Sequence, residues 1–203
     1  MSAPFAKGPS DPTVQPVPAS VIEQVDAADT TLSNPKRAVI ALGANLGNRL
    51  ETLQGAIDAL EDTPGVRVKG VSPVYETEPW GVAPDSQPSY FNAVVIVKTT
   101  LPPDSLLERA HAVEEAFHRV RDERWGPRTL DVDIVAYAEV VSDDPRLTLP
   151  HPRAHERAFV LAPWLDVDPE AALPGRGSVA DLLGAVTRDG VAPRADLELR
   201  LPE

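Results

Sequence analysis

"RAVIALGANLGNRLETLQGAIDALED", residues 37–62, sets the architecture. Its first seven residues form an apolar run ending in glycine, which reads as a buried strand. Beyond the loop, Leu50, Leu53, Ile57 and Leu60 recur at helical spacing and predict an amphipathic helix starting near Asn48. A strand feeding a helix is the first half of a βαβ unit, and the chain supplies the rest in order. "VRVKGVSPVYETE" (66–78) opens with alternating valines and is the expected second strand. "PWGVAPDSQPS" (79–89), with three prolines and a glycine, must be a loop. "YFNAVVIVKT" (90–99) is a third strand whose unbroken apolar centre predicts a place inside the sheet. Leu106, Leu107, Ala110, Val113 and Phe117 define a second amphipathic helix, with Asp104 near its start. "RVRDERWGPRT" (119–129) is a loop and "LDVDIVAYA" (130–138) a fourth strand.

Strand, helix, strand, strand, helix, strand is the ferredoxin-like βαββαβ order, an α+β fold with a four-stranded antiparallel sheet. Right-handed crossovers put both helices on one face. Residues 139–203 are expected to add short helices in "AHERAFVLAPWL" and "SVADLLGAV", covering part of the other face. The last stretch is rich in proline and charge and is expected to fray. Residues 1–35 contain six prolines and little apolar periodicity, so they are expected to be a disordered tail before a domain at 36–203.

Composition limits what such a domain can do. The net charge is −12, which disfavours nucleic acid and anionic membrane as partners. There is no cysteine, hence no thiolate nucleophile or thiolate metal site. The four histidines (111, 118, 151, 155) lack the H-E-x-x-H pattern of a zinc helix. No apolar run approaches the roughly 20 residues of a membrane span, and no signal peptide is seen. A cytoplasmic monomer is the default. Arginine dominates the bases, and seven fall between Arg119 and Arg157. GC-rich coding accounts for such a bias; so does bidentate recognition of phosphate.

Asp131 and Asp133 are two apart in the fourth strand, so their side chains share a face, while Leu130, Val132 and Ile134 take the other. Both carboxylates could reach one hard cation, and magnesium is satisfied by a couple of carboxylates plus phosphate oxygens and water. An ordinary half-exposed strand also alternates in this way, although aspartate is a poor strand former. The loop "GANLGNR" (43–49) is neither a Walker A nor a G-x-G-x-x-G motif. Gly43 and Gly47 are expected to supply turn dihedrals and Asn48 to cap the helix, with the loop at most a wall of a site. Tyr90 and Asn92 share a face, as would suit a flat heterocycle that one stacks on and the other reads; a core tyrosine and a strand-end asparagine would look the same.

The segments "GANLGNR", "SPVYETEPWG", "QPSYFNAVV", "RWGPRTLDVDI" and "LTLPHPRAHERAFVLAPWL" occur in this order and together resemble the signature of the 6-hydroxymethyl-7,8-dihydropterin pyrophosphokinase family, over roughly residues 38–175. The resemblance implies a ferredoxin-like sandwich that moves pyrophosphate from ATP to the pterin hydroxymethyl oxygen in folate biosynthesis and releases AMP. It implies two magnesium ions on Asp131 and Asp133, and a pterin site of Thr77, Trp80, Tyr90, Asn92, Trp125 and Phe159, with Tyr90 and Phe159 stacking. It further implies contacts to ATP or the transition state from His111, Glu114, Arg119, Arg121, Arg128, Arg146, His151 and Arg157. The alternatives are a non-catalytic nucleotide-binding domain of the same topology, and a kinase releasing ADP.

Overall fold

The structure is a computed structural model that describes residues 34–78, 88–117 and 129–202; the proline-rich stretch at 1–33 lies outside it. Strand β1 (Lys36–Ala44) leads into helix α1 (Arg49–Glu61), then β2 (Val66–Val71), β3 (Tyr75–Thr77), β4 (Tyr90–Thr99), α2 (Pro103–Ala116) and β5 (Asp131–Tyr137). The main sheet runs β5-β1-β4-β3, with β2 also on β4, and every pairing is antiparallel. This is the ferredoxin-like order expected from the sequence. β4 holds the centre, as its apolar run requires.

Two elements differ from the sequence reading. The expected second strand is two strands, β2 and β3, docked end to end along β4. Pro73 lies at the break, where it has no N–H to give the ladder. Ser72 bridges the gap: its hydroxyl accepts the Val94 N–H at 2.8 Å and its own N–H reaches Val94 O at 2.9 Å. The C-terminal stretch does not fray. Val191–Pro193 forms a further strand, β8, on the outer edge of β3, in the register Tyr75↔Pro193, Glu76↔Ala192 and Thr77↔Val191.

Helices α1 and α2 pack on one face of the sheet. Leu53, Ile57, Leu60, Leu106 and Ala110 meet Ile40, Leu42, Val95, Val132 and Ile134 there. Leu50, Leu107 and Phe117 are only partly buried, on the rim of that core. The other face is also covered. A 3-10 turn (Ala154–Glu156), α3 (Ala158–Val167), a small β6 (Ala172–Leu173)–β7 (Gly177–Ser178) hairpin and α4 (Val179–Ala185) follow β5. Val160, Leu161, Trp164, Val179 and Leu183 pack against Val39, Val94, Ile96 and Val135. The sheet is therefore the middle layer of three, and β1, β4 and β5 bury apolar residues on both faces through their centres.

This second core is real burial, so its loss has a cost. Leu161→Ala should lower the unfolding free energy by about 2–5 kcal/mol, the range for a deleted leucine side chain in a packed core, measured by urea denaturation. A cost near zero would mean that α3 does not close the sheet.

Candidate active site

Strand alternation assembles the site from four strands. On the face covered by α3, Tyr75, Asn92, Gly43 and Asp131 form one row across β3, β4, β1 and β5. Thr77 and Tyr90 form the next row outward, and Val94, Ala41 and Asp133 the next inward. Asp131 and Asp133 are both partly exposed, while Leu130, Val132 and Ile134 are buried on the opposite side, as the sequence requires.

Gly43 is not a turn residue, contrary to the expectation from its loop. It is the penultimate residue of β1, and the positive φ in this segment belongs to Gly47, at 64°. A Cβ on Gly43 would stand 3.1 Å from Asn92 Oδ1 and 3.9 Å from Asp131 Cβ. Its role is to leave open the floor between the amide and the carboxylate. The signal was in the sequence, since Val39, Ala41 and Gly43 shrink along one face of β1. Asn48 does cap α1, accepting the Glu51 N–H at 3.4 Å. Buried Asn45 donates to Pro88 O at 3.5 Å, which ties the 43–49 loop to the residues just before β4.

On β4, Asn92 is buried and donates its Nδ2 to Thr77 Oγ1 at 2.7 Å. This bond fixes the amide, with its oxygen toward Gly43 and its second N–H still to be shared. Tyr90 lies on the same face, half-buried, and Phe159 is half-buried in the first turn of α3, the helix lying over β4.

The anionic side is built around β5. Glu114, on α2, is buried and accepts the Val132 N–H at 2.9 Å. It thereby satisfies the sheet-edge donor between the two aspartates. Arg157, at the start of α3, lies 3.7 Å from Asp133 Oδ2 and 5.6 Å over the Phe159 ring. His151 donates its N–H to Val135 O at 2.8 Å, which ties it to the same strand edge. Its Nδ1 accepts the Arg153 N–H at 3.2 Å, so the neutral ring carries its proton on Nε2. Burial and the nearby Arg157 guanidinium push its pKa down to about 4, against the pull of Asp131. At neutral pH His151 is an uncharged donor, suited to a phosphate oxygen.

Not every expected residue converges on this centre. His111 and Arg146 are exposed, and Arg146 pairs with Asp144 at 3.2 Å and Asp104 at 3.9 Å on the α2 side. Trp80, Arg119, Arg121, Trp125 and Arg128 lie outside the described residues. Among the described residues no three His, Cys, Asp or Glu side chains form a metal cage. Two carboxylates are the protein donors that magnesium takes together with a phosphorylated ligand and water.

Paired carboxylates, an arginine and a histidine beside a buried amide are residue types that metal-assisted phosphoryl transfer uses. Comparison with known proteins gives the particular family. Residues 39–169 match the family model of 7,8-dihydro-6-hydroxymethylpterin-pyrophosphokinase (HPPK). The chain belongs to that family. It is 43% identical over 156 residues to the 2-amino-4-hydroxy-6-hydroxymethyldihydropteridine pyrophosphokinase of Pseudomonas aeruginosa, covering 77% of this chain and 95% of the relative. It is 45% identical over 172 residues to the Mycobacterium leprae protein of the same name, covering 76% and 87%. A crystal structure of a triple mutant of Plasmodium falciparum HPPK-DHPS with pteroate superposes with a TM-score of 0.59 at 16% identity, over 76% of this chain and 44% of that one, and so shares the fold.

Two outcomes follow from this geometry. Gly43→Ala should lower kcat/KM about tenfold or more while leaving the melting temperature within a few degrees, because the added methyl meets Asn92 and Asp131 at the floor of the site; steady-state assays check this. His151 has a second signature. Its pKa falls from an unfolded value near 6.5 to about 4 in the fold. The stability it contributes is complete above pH 6.5 and is lost as pH drops from 6.5 towards 4, up to about 3 kcal/mol. His151→Asn should flatten that acid limb in urea denaturation of the ligand-free protein; an unchanged slope would contradict the assignment.

Proposed function

We propose that this chain transfers the β,γ-pyrophosphoryl group of ATP to the hydroxymethyl oxygen of 6-hydroxymethyl-7,8-dihydropterin, as a cytoplasmic monomer that uses two magnesium ions held by Asp131 and Asp133. One observation carries the reading. The register of β3, β4, β1 and β5 brings Asn92 and Thr77 onto one face with Asp131 and Asp133, Gly43 lying between Asn92 and Asp131, which supports reading the first pair as facing a heterocycle and the second a cation. Family membership supplies the substrates. No helix among the described residues is long and apolar enough to cross a membrane.

In the reaction the pterin oxygen bonds to the β-phosphorus while the bond from that phosphorus to the α,β-bridging oxygen breaks, and AMP leaves with the electron pair. Alignment and charge neutralisation dominate such a transfer. When bound, magnesium would neutralise the triphosphate and acidify the attacking hydroxyl. The protein's own groups do the rest. Asn92, fixed by Thr77, reads the pterin edge, and Tyr90 and Phe159 bracket its ring. Arg157 meets phosphate charge, and His151 donates from Nε2 without adding a proton to the balance. Glu114 holds the strand edge from which both aspartates project. Arg119, Arg121 and Arg128 are assigned to the phosphates and Trp80 and Trp125 to the pterin pocket by resemblance, as are His111 and Arg146 to the nucleotide. The proton of the attacking hydroxyl passes to water, so no protein base is required.

Product analysis by mass spectrometry tests the reaction, with ATP, magnesium and the pterin supplied together. AMP appearing in step with pterin diphosphate is the expected result. ADP would make the protein a simple kinase, and no product from folded protein would leave a binding domain. Asp131→Ala and Asp133→Ala should each cut kcat by roughly two to four orders of magnitude, matching the several kcal/mol a metal contributes to the transition state, with far-ultraviolet circular dichroism unchanged.

A further inference from the structure

The C-terminal residues 188–200 form a strap along the outer edge of β3. Three residue pairs join β8 to β3. The Glu78 N–H donates to Gly190 O at 3.1 Å just beyond them, and the Arg194 N–H donates to Val74 O at 2.8 Å at the other end. Further on, Leu197 and Leu199 pack on the α1–α2 core. Arg200 closes the strap on α1, its N–H reaching Gln54 Oε1 at 2.8 Å and its carbonyl accepting Gln54 Nε2 at 3.2 Å.

Arg194 is the hub. Its Nε and Nη2 fork onto Asp196 at 2.8 and 2.7 Å, and its Nη1 donates to Glu76 Oε2 at 2.5 Å. Glu76 Oε1 accepts the Ser89 hydroxyl at 2.5 Å and lies 3.3 Å from Arg49 Nη1. Arg49 also donates to Ser89 O at 2.8 Å and stacks 3.7 Å over Phe91, with Arg194 5.4 Å from the same ring. Glu76 thus gathers α1, the residue before β4 and the strap onto the middle residue of β3. Hydrogen bonds from Ser89 and Arg194 hold its carboxyl below the usual range. Alternation puts this cluster on the α1–α2 side, opposite Thr77.

We propose that Arg194 is a positioning residue for the pterin subsite: by clamping Glu76 from the strap, it fixes the three-residue strand β3 and therefore Thr77, which in turn orients Asn92. This rests on the assignment of Thr77 and Asn92 to the pterin. β3 needs such a clamp because Pro73 cuts it off from β2, leaving three pairs on β4 as its support on that side. The metal-binding aspartates are on β5, at the far edge of the sheet, and do not depend on it. The strap therefore acts on one substrate and not on the other.

Arg194→Ala in the full chain should raise KM for the pterin about fivefold or more while KM for Mg-ATP stays within about twofold, since a small displacement of a positioning group is costly. Arg194→Lys, which keeps the pair with Glu76 and loses the fork on Asp196, should recover most of the pterin KM. Amide hydrogen exchange supplies a readout independent of turnover. Arg194→Ala should speed exchange at Tyr75–Thr77 about tenfold or more with β5 unchanged, as expected for a local opening. Unchanged exchange there would overturn the clamp, even if the wild type proved inactive and the proposed reaction itself failed. With an active wild type, an unmoved pterin KM would overturn the proposal, and so would an equal rise in both KM values, which would make Arg194 a general brace.

Discussion

The register of Asn92, Gly43 and Asp131 across three neighbouring strands is the constraint on which the site depends. Antiparallel pairing fixes which residues share a row, and the two-residue period fixes which face they share. A slip of one residue on β1 would place Ala44 or Leu42 between the amide and the carboxylate. It would also turn Val39 and Ala41 out of one core and Ile40 and Leu42 out of the other. The hydrophobic pattern that stabilises the sheet therefore also holds the chemistry in place.

A second requirement is that both faces be covered. The α1–α2 layer makes the larger core and projects Glu114 to the edge of β5. The α3–α4 layer closes the functional face, and its first turn brings Arg157 and Phe159 over the strands that carry Asp133 and Tyr90. A chain of net charge −12 gathers an arginine and a neutral histidine beside two of its own carboxylates. In the proposed reaction that local balance would admit a magnesium-bound triphosphate without making the protein a general polyanion binder.

Much of this was legible in the sequence because it depends on short-range periodicity. Leu53, Ile57 and Leu60 marked α1, Leu106, Ala110 and Val113 marked α2, and the alternation around Asp131 placed both carboxylates on one face. What periodicity could not reveal was long-range or negative. The break at Pro73 is masked by valines on both sides. β8 is three residues, too short to show alternation, and it is held by an ion pair between residues 76 and 194. Gly43 contributes the absence of a side chain, which gains meaning only when Asn92 and Asp131 are known to flank it. The lowered pKa of His151 comes from burial and from the Arg157 guanidinium, and neither the burial nor that approach is visible in the string "LPHPRAHERAF".

Asp131 and Asp133 are proposed to act together as the cation site beside an amide that reads the pterin. The most direct test counts metal. Manganese, a paramagnetic stand-in for magnesium, would be titrated into the protein with a non-cleavable ATP analogue and the pterin, and bound ions counted by electron paramagnetic resonance. Two bound ions per chain are expected in the ternary complex, with loss of tight binding in both Asp131→Ala and Asp133→Ala. Two ions retained at undiminished affinity in either variant would contradict it.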